Sequence, residues 1–412
     1  MSYIPFESEV QVVNQVDILE EPWQLDAYGR LRTSSVTTIF ESQLSKSQQN
    51  RLWHTVLTGN AEKTYLEHQS SLNLTVNDIG DKAIRQSKVY TTAKLGKSHL
   101  VFLTGNLVAD SGITKKIGYF DNDNGTFFRM NETGVLEIVV RSKASGTVQE
   151  DIVAQTGWNI DKLDGTGESV VTLDTNHDQI FAFDIEWMGT GKVRAGFMID
   201  GKMLYVHEFK YSNTDNKPYM TTATLPVRYE IENISGGTAS LKQTASVVMT
   251  EGGPNEFQNN FAVSNEVAPK QISNALTPVM SIRPKKTNAH GMVNRISSIL
   301  EGAEIYSDDD DIYFELKIDT TLSNDFFNDI NTDESSMEFD YSANSCSGGN
   351  VIAKGYTKKD GTIKNIDKKR LAKHLLNVNY DGTNSSTLTL LAKTLNDPTA
   401  DVFATFSWAE DD

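Results

Sequence analysis

The chain has 412 residues and a formal net charge of −17, with 38 basic against 55 acidic side chains. That balance argues against non-specific binding to nucleic acid or to an anionic membrane, and favours solubility and basic or cationic partners. The length predicts two or three domains, 14 Tyr, 18 Phe and 5 Trp are enough for real cores, and the lone Cys346 excludes an intramolecular disulfide or a cysteine-built zinc site.

Residues 1–45 are polar, with scattered apolar anchors and no clean period. They are read as an extended N-terminal arm that docks on a neighbouring subunit through Trp23, Tyr28, Arg30 and Arg32, the alternative being an edge strand and loop of the same domain. The start of the chain lacks a basic stretch followed by an apolar core, so no secretion signal is expected. No apolar run approaches the roughly 18 residues that a membrane span needs. Residues 46–252 are read as a central domain, with a short helix expected within 41–60 on Leu44, Leu52 and Val56. Ser71 to Val76 alternates as a half-buried strand does, whereas His99 to Gly105 is a continuous apolar run that suits a strand buried on both faces.

From Ile117 to Ile231 nearly everything reads as strand and turn. Phe181, Phe183, Ile185 and Trp187 occupy alternate positions and share one face, with Ala182, Asp184 and Glu186 on the other. Asp200-Gly201 is the pair that a two-residue type I′ hairpin requires. Asn122-Asp123-Asn124-Gly125 joins two further strands. The expected fold is mostly β: an antiparallel β-sandwich of jelly-roll or lectin-like kind, followed by a smaller β-rich domain. Glu251-Gly252-Gly253-Pro254 opens a linker over 253–275, and 276–412 forms the second domain, with a helix expected over Lys368 to Leu376.

Asp121, Asp123 and Glu132 have an approximate calcium-loop spacing, but strands flank the segment and the glycine falls one place early, so a β-turn is preferred. Asp308, Asp309 and Asp310 form an acidic run that suits either calcium or a solvated loop. No cofactor is assigned. Trp158, beside a turn-rich segment, is the aromatic singled out to face a glycan. Asp184 and Glu186 lie on one strand face, but glycan hydrolysis needs an acid and a nucleophile about 5 Å apart, and the third acidic residue expected near Met188 is missing. The chain is therefore expected not to be an enzyme.

The segments GYFDNDNGTFF from Gly118, WNIDKLDGTG from Trp158, FDIEWMGTGKVRAGFMIDG from Phe183, YVHEF from Tyr205 and LPVRYEI from Leu225, with DAYGRLR from Asp26, together carry a resemblance. The chain resembles a family of virion structural proteins of tailed bacteriophages, over roughly 20–45 and 115–250 and more loosely over 276–320. The resemblance implies a structural subunit of a phage particle, made in the host bacterial cytoplasm. It would assemble with copies of itself and with other virion proteins at capsid, neck or tail. The alternative is a lectin-like, carbohydrate-binding module for host-surface glycans. Neither reading calls for nucleic-acid binding or membrane insertion.

Overall fold

The computed structural model describes residues 25–29, 35–214, 216–252, 259–288, 291, 293–307, 309–330, 334–359, 364–366 and 375–411. These residues build two successive antiparallel β-sandwiches. Among them, helix is confined to two three-residue 3-10 turns, Glu67–Gln69 and Gln155–Gly157.

One sheet of the larger sandwich runs Lys202–Lys210, Lys192–Ile199, Gln179–Ile185, His99–Gly105, Ala239–Glu251, Ser71–Val76, Glu62–Leu66, and Val36–Gln43 also pairs with Ala239–Glu251. The facing sheet runs Gln149–Ala154, Leu136–Ser142, Gly125–Met130, Ile113–Phe120, Val227–Asn233, Lys82–Ser87, Trp53–Thr58. Period-2 alternation sends Phe181, Phe183 and Phe197 of the first sheet inward. Phe128 of the second enters among them, its ring 5.2, 5.1 and 4.8 Å from theirs. Such tilted aromatic contacts add to the burial of apolar area that drives the two sheets together. At the expected hairpin, Ile199 pairs with Lys202, and Asp200 and Gly201 have φ of +50° and +76°. Both are left-handed, as the type I′ turn demands.

The smaller sandwich carries its own core around Phe314, Leu316, Leu390, Phe406 and Trp408. In Ile312–Ser323 the residues Ile312, Phe314 and Leu316 point inward and Tyr313, Glu315 and Lys317 outward. Trp408 is fully buried, and its indole N–H donates to Glu410 Oε1 at 2.8 Å.

Several expectations change. The helix within 41–60 is absent: Val36–Gln43 and Trp53–Thr58 are strands, joined by a loop. Phe40, Ser42 and Leu44 point into the sandwich, so the last part of the expected arm is an edge of the first sheet. Of the expected linker, residues 253–258 lie outside the described residues, and Asn259–Ser264 and Lys270–Ser273 are strands that both pair with Thr399–Asp411. Of the expected helix over Lys368 to Leu376, residues 368–374 lie outside the described residues, and Leu375–Leu376 is a two-residue strand paired with Ser297–Tyr306.

Candidate functional site

The outer face of the first sheet carries the candidate site. Alternation that sends Phe181 and Phe183 into the core sends Ile180, Ala182 and Asp184 outward. Ile180 is in register with Thr104 on one side and Met198 on the other, and Phe102 with Val247 on the next strand. These side chains form an apolar floor on which Ile180 remains 39% exposed. The edge strand and the loop after it supply a polar wall from Glu41, Gln43, Ser45, Lys46 and Gln49. The groove so formed has a volume of about 720 Å³.

The loop that builds the wall is fixed from beneath. The buried Arg85 donates through Nε to Gln243 Oε1 at 2.6 Å, through Nη1 to Thr55 Oγ1 at 2.9 Å, and through Nη2 to the Gln48 carbonyl. Its guanidinium lies 5.3 Å from the Trp53 ring, and Trp53 Nε1 donates to Ser42 Oγ at 2.8 Å. Burial lowers the Arg85 pKa to about 10, still far above neutrality, so it stays charged.

At the other end of the same face the chain covers its carboxylate. Asp184 is fully buried and accepts from Ser98 Oγ, from Arg194 Nη2 at 2.5 Å and from Tyr205 Oη at 2.8 Å. Arg194 also donates to the Leu25 carbonyl at 2.8 Å, and the turn from Asp26 to Gly29 lies over the cluster with Asp26 and Ala27 buried. Tyr28, expected to reach a neighbouring subunit, donates instead within its own chain, to the Trp187 carbonyl just past Gln179–Ile185, at 3.5 Å. Trp23, Arg30 and Arg32 lie outside the described residues. Glu186 is half-buried, and burial raises its carboxyl above the ordinary carboxylate range, with Asp26 and Asp184 adding to the shift against Lys192 and Arg194.

The facing sheet has a closed outer face. Glu230 takes Lys116 at 2.9 Å, Lys82 at 3.1 Å and Arg228 at 3.3 Å. Burial alone would push its carboxyl up; the three cations overcome that and hold it well below the ordinary range. Glu150 bridges Arg141 and Arg129 at 2.7 and 2.8 Å. Arg141 lies 4.9 Å from the Phe127 ring and Arg228 5.0 Å from that of Phe120, and both phenylalanines are fully buried.

The other predicted site residues do not converge. Trp158 is 3% exposed and packs on Phe128 and Phe197, so it is a core residue and not a glycan-facing aromatic. Asp121 Oδ1 accepts the backbone N–H groups of Asp123 and Asn124 in a turn, and Asp123 pairs with Lys143 at 3.0 Å. Glu132 follows the far end of Gly125–Met130, on the order of 20 Å away by strand rise, so the three carboxylates cannot share a cation. Asp308 lies outside the described residues. Asp310 accepts the N–H groups of Leu395, Asn396 and Asp397, and Asp309 that of Asp401, so these two acids staple loops. Among the described residues no group of three or more His, Cys, Asp or Glu could hold a metal ion.

The groove was the feature that the sequence reading missed. Its signal was the apolar run from His99 to Gly105: Val101 and Leu103 fill the core, while the outward Phe102 supplies the floor.

No protein-family model and no curated protein matches the chain. Solved structures do. A legume lectin-like domain from Entamoeba histolytica is 14% identical, covers 53% of this chain and 100% of its own, and has a TM-score of 0.32. A carbohydrate esterase from Shiga toxin-encoding bacteriophage phi24B is 12% identical over 53% and 100%, with a TM-score of 0.32. The Bacillus licheniformis beta-glucanase is 11% identical over 52% and 98%, with a TM-score of 0.31. At these identities the likeness is one of fold. With a glucanase and an esterase among the similar structures, the expectation that the chain is not an enzyme is withdrawn.

Proposed function

We propose that this chain recognises carbohydrate in the groove on the outer face of its larger sandwich, as a component of a tailed-phage particle. The groove carries the reading. Its floor of Phe102, Ile180 and Met198 suits the C–H face of a sugar ring, and its wall of amides, hydroxyls, one carboxylate and one ammonium group suits the ring's hydroxyls. The particle assignment rests on the sequence resemblance.

The test is binding of the full chain to immobilised lipopolysaccharide and capsular polysaccharide, followed by interferometry. Replacing Phe102 by Ala should weaken binding about tenfold. Wild-type protein that binds no surface polysaccharide, or a Phe102→Ala, Met198→Ala double variant that binds as well as wild type, would end the reading.

A further inference from the structure

A second cavity of about 580 Å³ lies between the two sandwiches, lined by Val89 and Lys88 of the larger and by Ile318, Asn350 and Asn377 of the smaller. The two cavities share three lining residues, Glu41, Gln49 and Leu52. Each is within the size range of a whole small-molecule site. We infer that they are successive compartments of one site, and that its ligand is an extended, uncharged oligosaccharide chain and not a terminal sugar. This rests on the reading of the groove as a carbohydrate site.

The chemistry of the second cavity carries the ligand class. Its formal charges balance, Arg51 and Lys88 against Glu41 and Asp319, so neither an anion nor a cation is selected. The remaining polar groups are amides and hydroxyls, such as Asn350, Asn377 and Ser386, beside apolar Ile39, Val89 and Ile318. That mixture repeats the groove's own, as a polymer of like units requires.

Gln49 stands at the join and is a positioning residue. Its φ of +49° is left-handed, a conformation that disfavours any residue with a Cβ. Its side chain is fully committed to the loop: Oε1 accepts from Ser42 Oγ at 2.6 Å and Nε2 donates to the Gln43 carbonyl at 2.7 Å. Its carbonyl accepts the Leu52 N–H at 2.9 Å. The wall common to both compartments is therefore held in one shape before any ligand arrives.

The experiment is calorimetry of the full chain with a ladder of neutral oligosaccharides, from disaccharide to long oligomer, made by partial hydrolysis of the polysaccharide that binds best. Affinity should rise about tenfold or more along the ladder. Asn350→Ala, on the rim of the second compartment, should remove most of that gain while leaving the shortest binding oligomer unaffected. Phe102→Ala should weaken every length alike, and thermal melting checks that each variant is folded. Equal affinity for all lengths, or an Asn350→Ala, Ser386→Ala double variant that keeps the length dependence, overturns the two-compartment site and leaves the groove intact. Absence of binding at every length overturns both.

Discussion

The two sheets of the larger sandwich turn opposite kinds of outer surface outward. On the seven-stranded sheet, alternate outward positions hold Glu230, Lys116, Arg228, Arg141 and Glu150, and every one of these charges has a partner. On the eight-stranded sheet, the covered end is likewise satisfied around Asp184, but the open end holds Phe102, Ile180 and Met198 beside a polar loop. The difference teaches where to look for recognition. Charged residues on a strand face drew attention in the sequence, yet folding consumes them; apolar residues in outward positions are the ones left to meet a ligand.

If the charged face is structural, its loss should be the costliest change. Glu230→Ala leaves the buried Arg228 and the half-buried Lys116 without their shared carboxylate, and should destabilise by about 3–5 kcal/mol in urea unfolding, with glycan binding by the surviving folded fraction unchanged.

The next effect is one of pH. Burial pushes His99 down to about 4 from its ordinary 6.5, with Lys94 adding to the shift and Asp184 opposing it. Its Nε2 accepts the Lys94 N–H at 3.2 Å, so the imidazole is neutral in the fold. Between pH 6.5 and 4 the unfolded chain takes up a proton that the folded chain refuses. Stability should therefore fall as pH drops through that window, by about 3 kcal/mol in all. His99→Gln should flatten the fall in a series of melts, and an unchanged slope would show that other groups cause it.

Arg85→Met tests the support of the groove wall. It should cost about 2–3 kcal/mol by leaving the Gln48 carbonyl and Gln243 Oε1 without their donor. It should also loosen glycan binding, which Glu230→Ala should not. Phe102→Ala completes the series: its side chain is only half-buried, so it should cost about 1 kcal/mol or less while weakening glycan binding about tenfold. A Phe102 variant that melted early and bound normally would reverse the contrast between the two faces.

Much of the scaffold was legible. Period-2 alternation identified the faces of Gln179–Ile185 and Ile312–Ser323, and Asp200-Gly201 identified its hairpin, because these are local rules of pleat and φ. The groove was not, because its parts come from an edge strand, a loop and the outward positions of non-consecutive strands, and only register brings them together. Trp158 failed for the same reason. Its neighbours in sequence are turn residues, but its neighbours in space are Phe128 and Phe197. Within the expected arm and linker, the strands Val36–Gln43 and Asn259–Ser264 were not legible, because strands that pair far along the chain, here with Ala239–Glu251 and Thr399–Asp411, need little apolar periodicity of their own.

Gln49 has a consequence for how this sequence can drift. Its backbone favours glycine or asparagine, while its two side-chain bonds require an amide long enough to reach Ser42 and Gln43. Glycine satisfies the first demand and abandons the second; asparagine is one methylene short; glutamate reaches but cannot donate to a carbonyl. No single substitution meets both requirements, so variants of this loop should keep glutamine here or rebuild the whole turn at once.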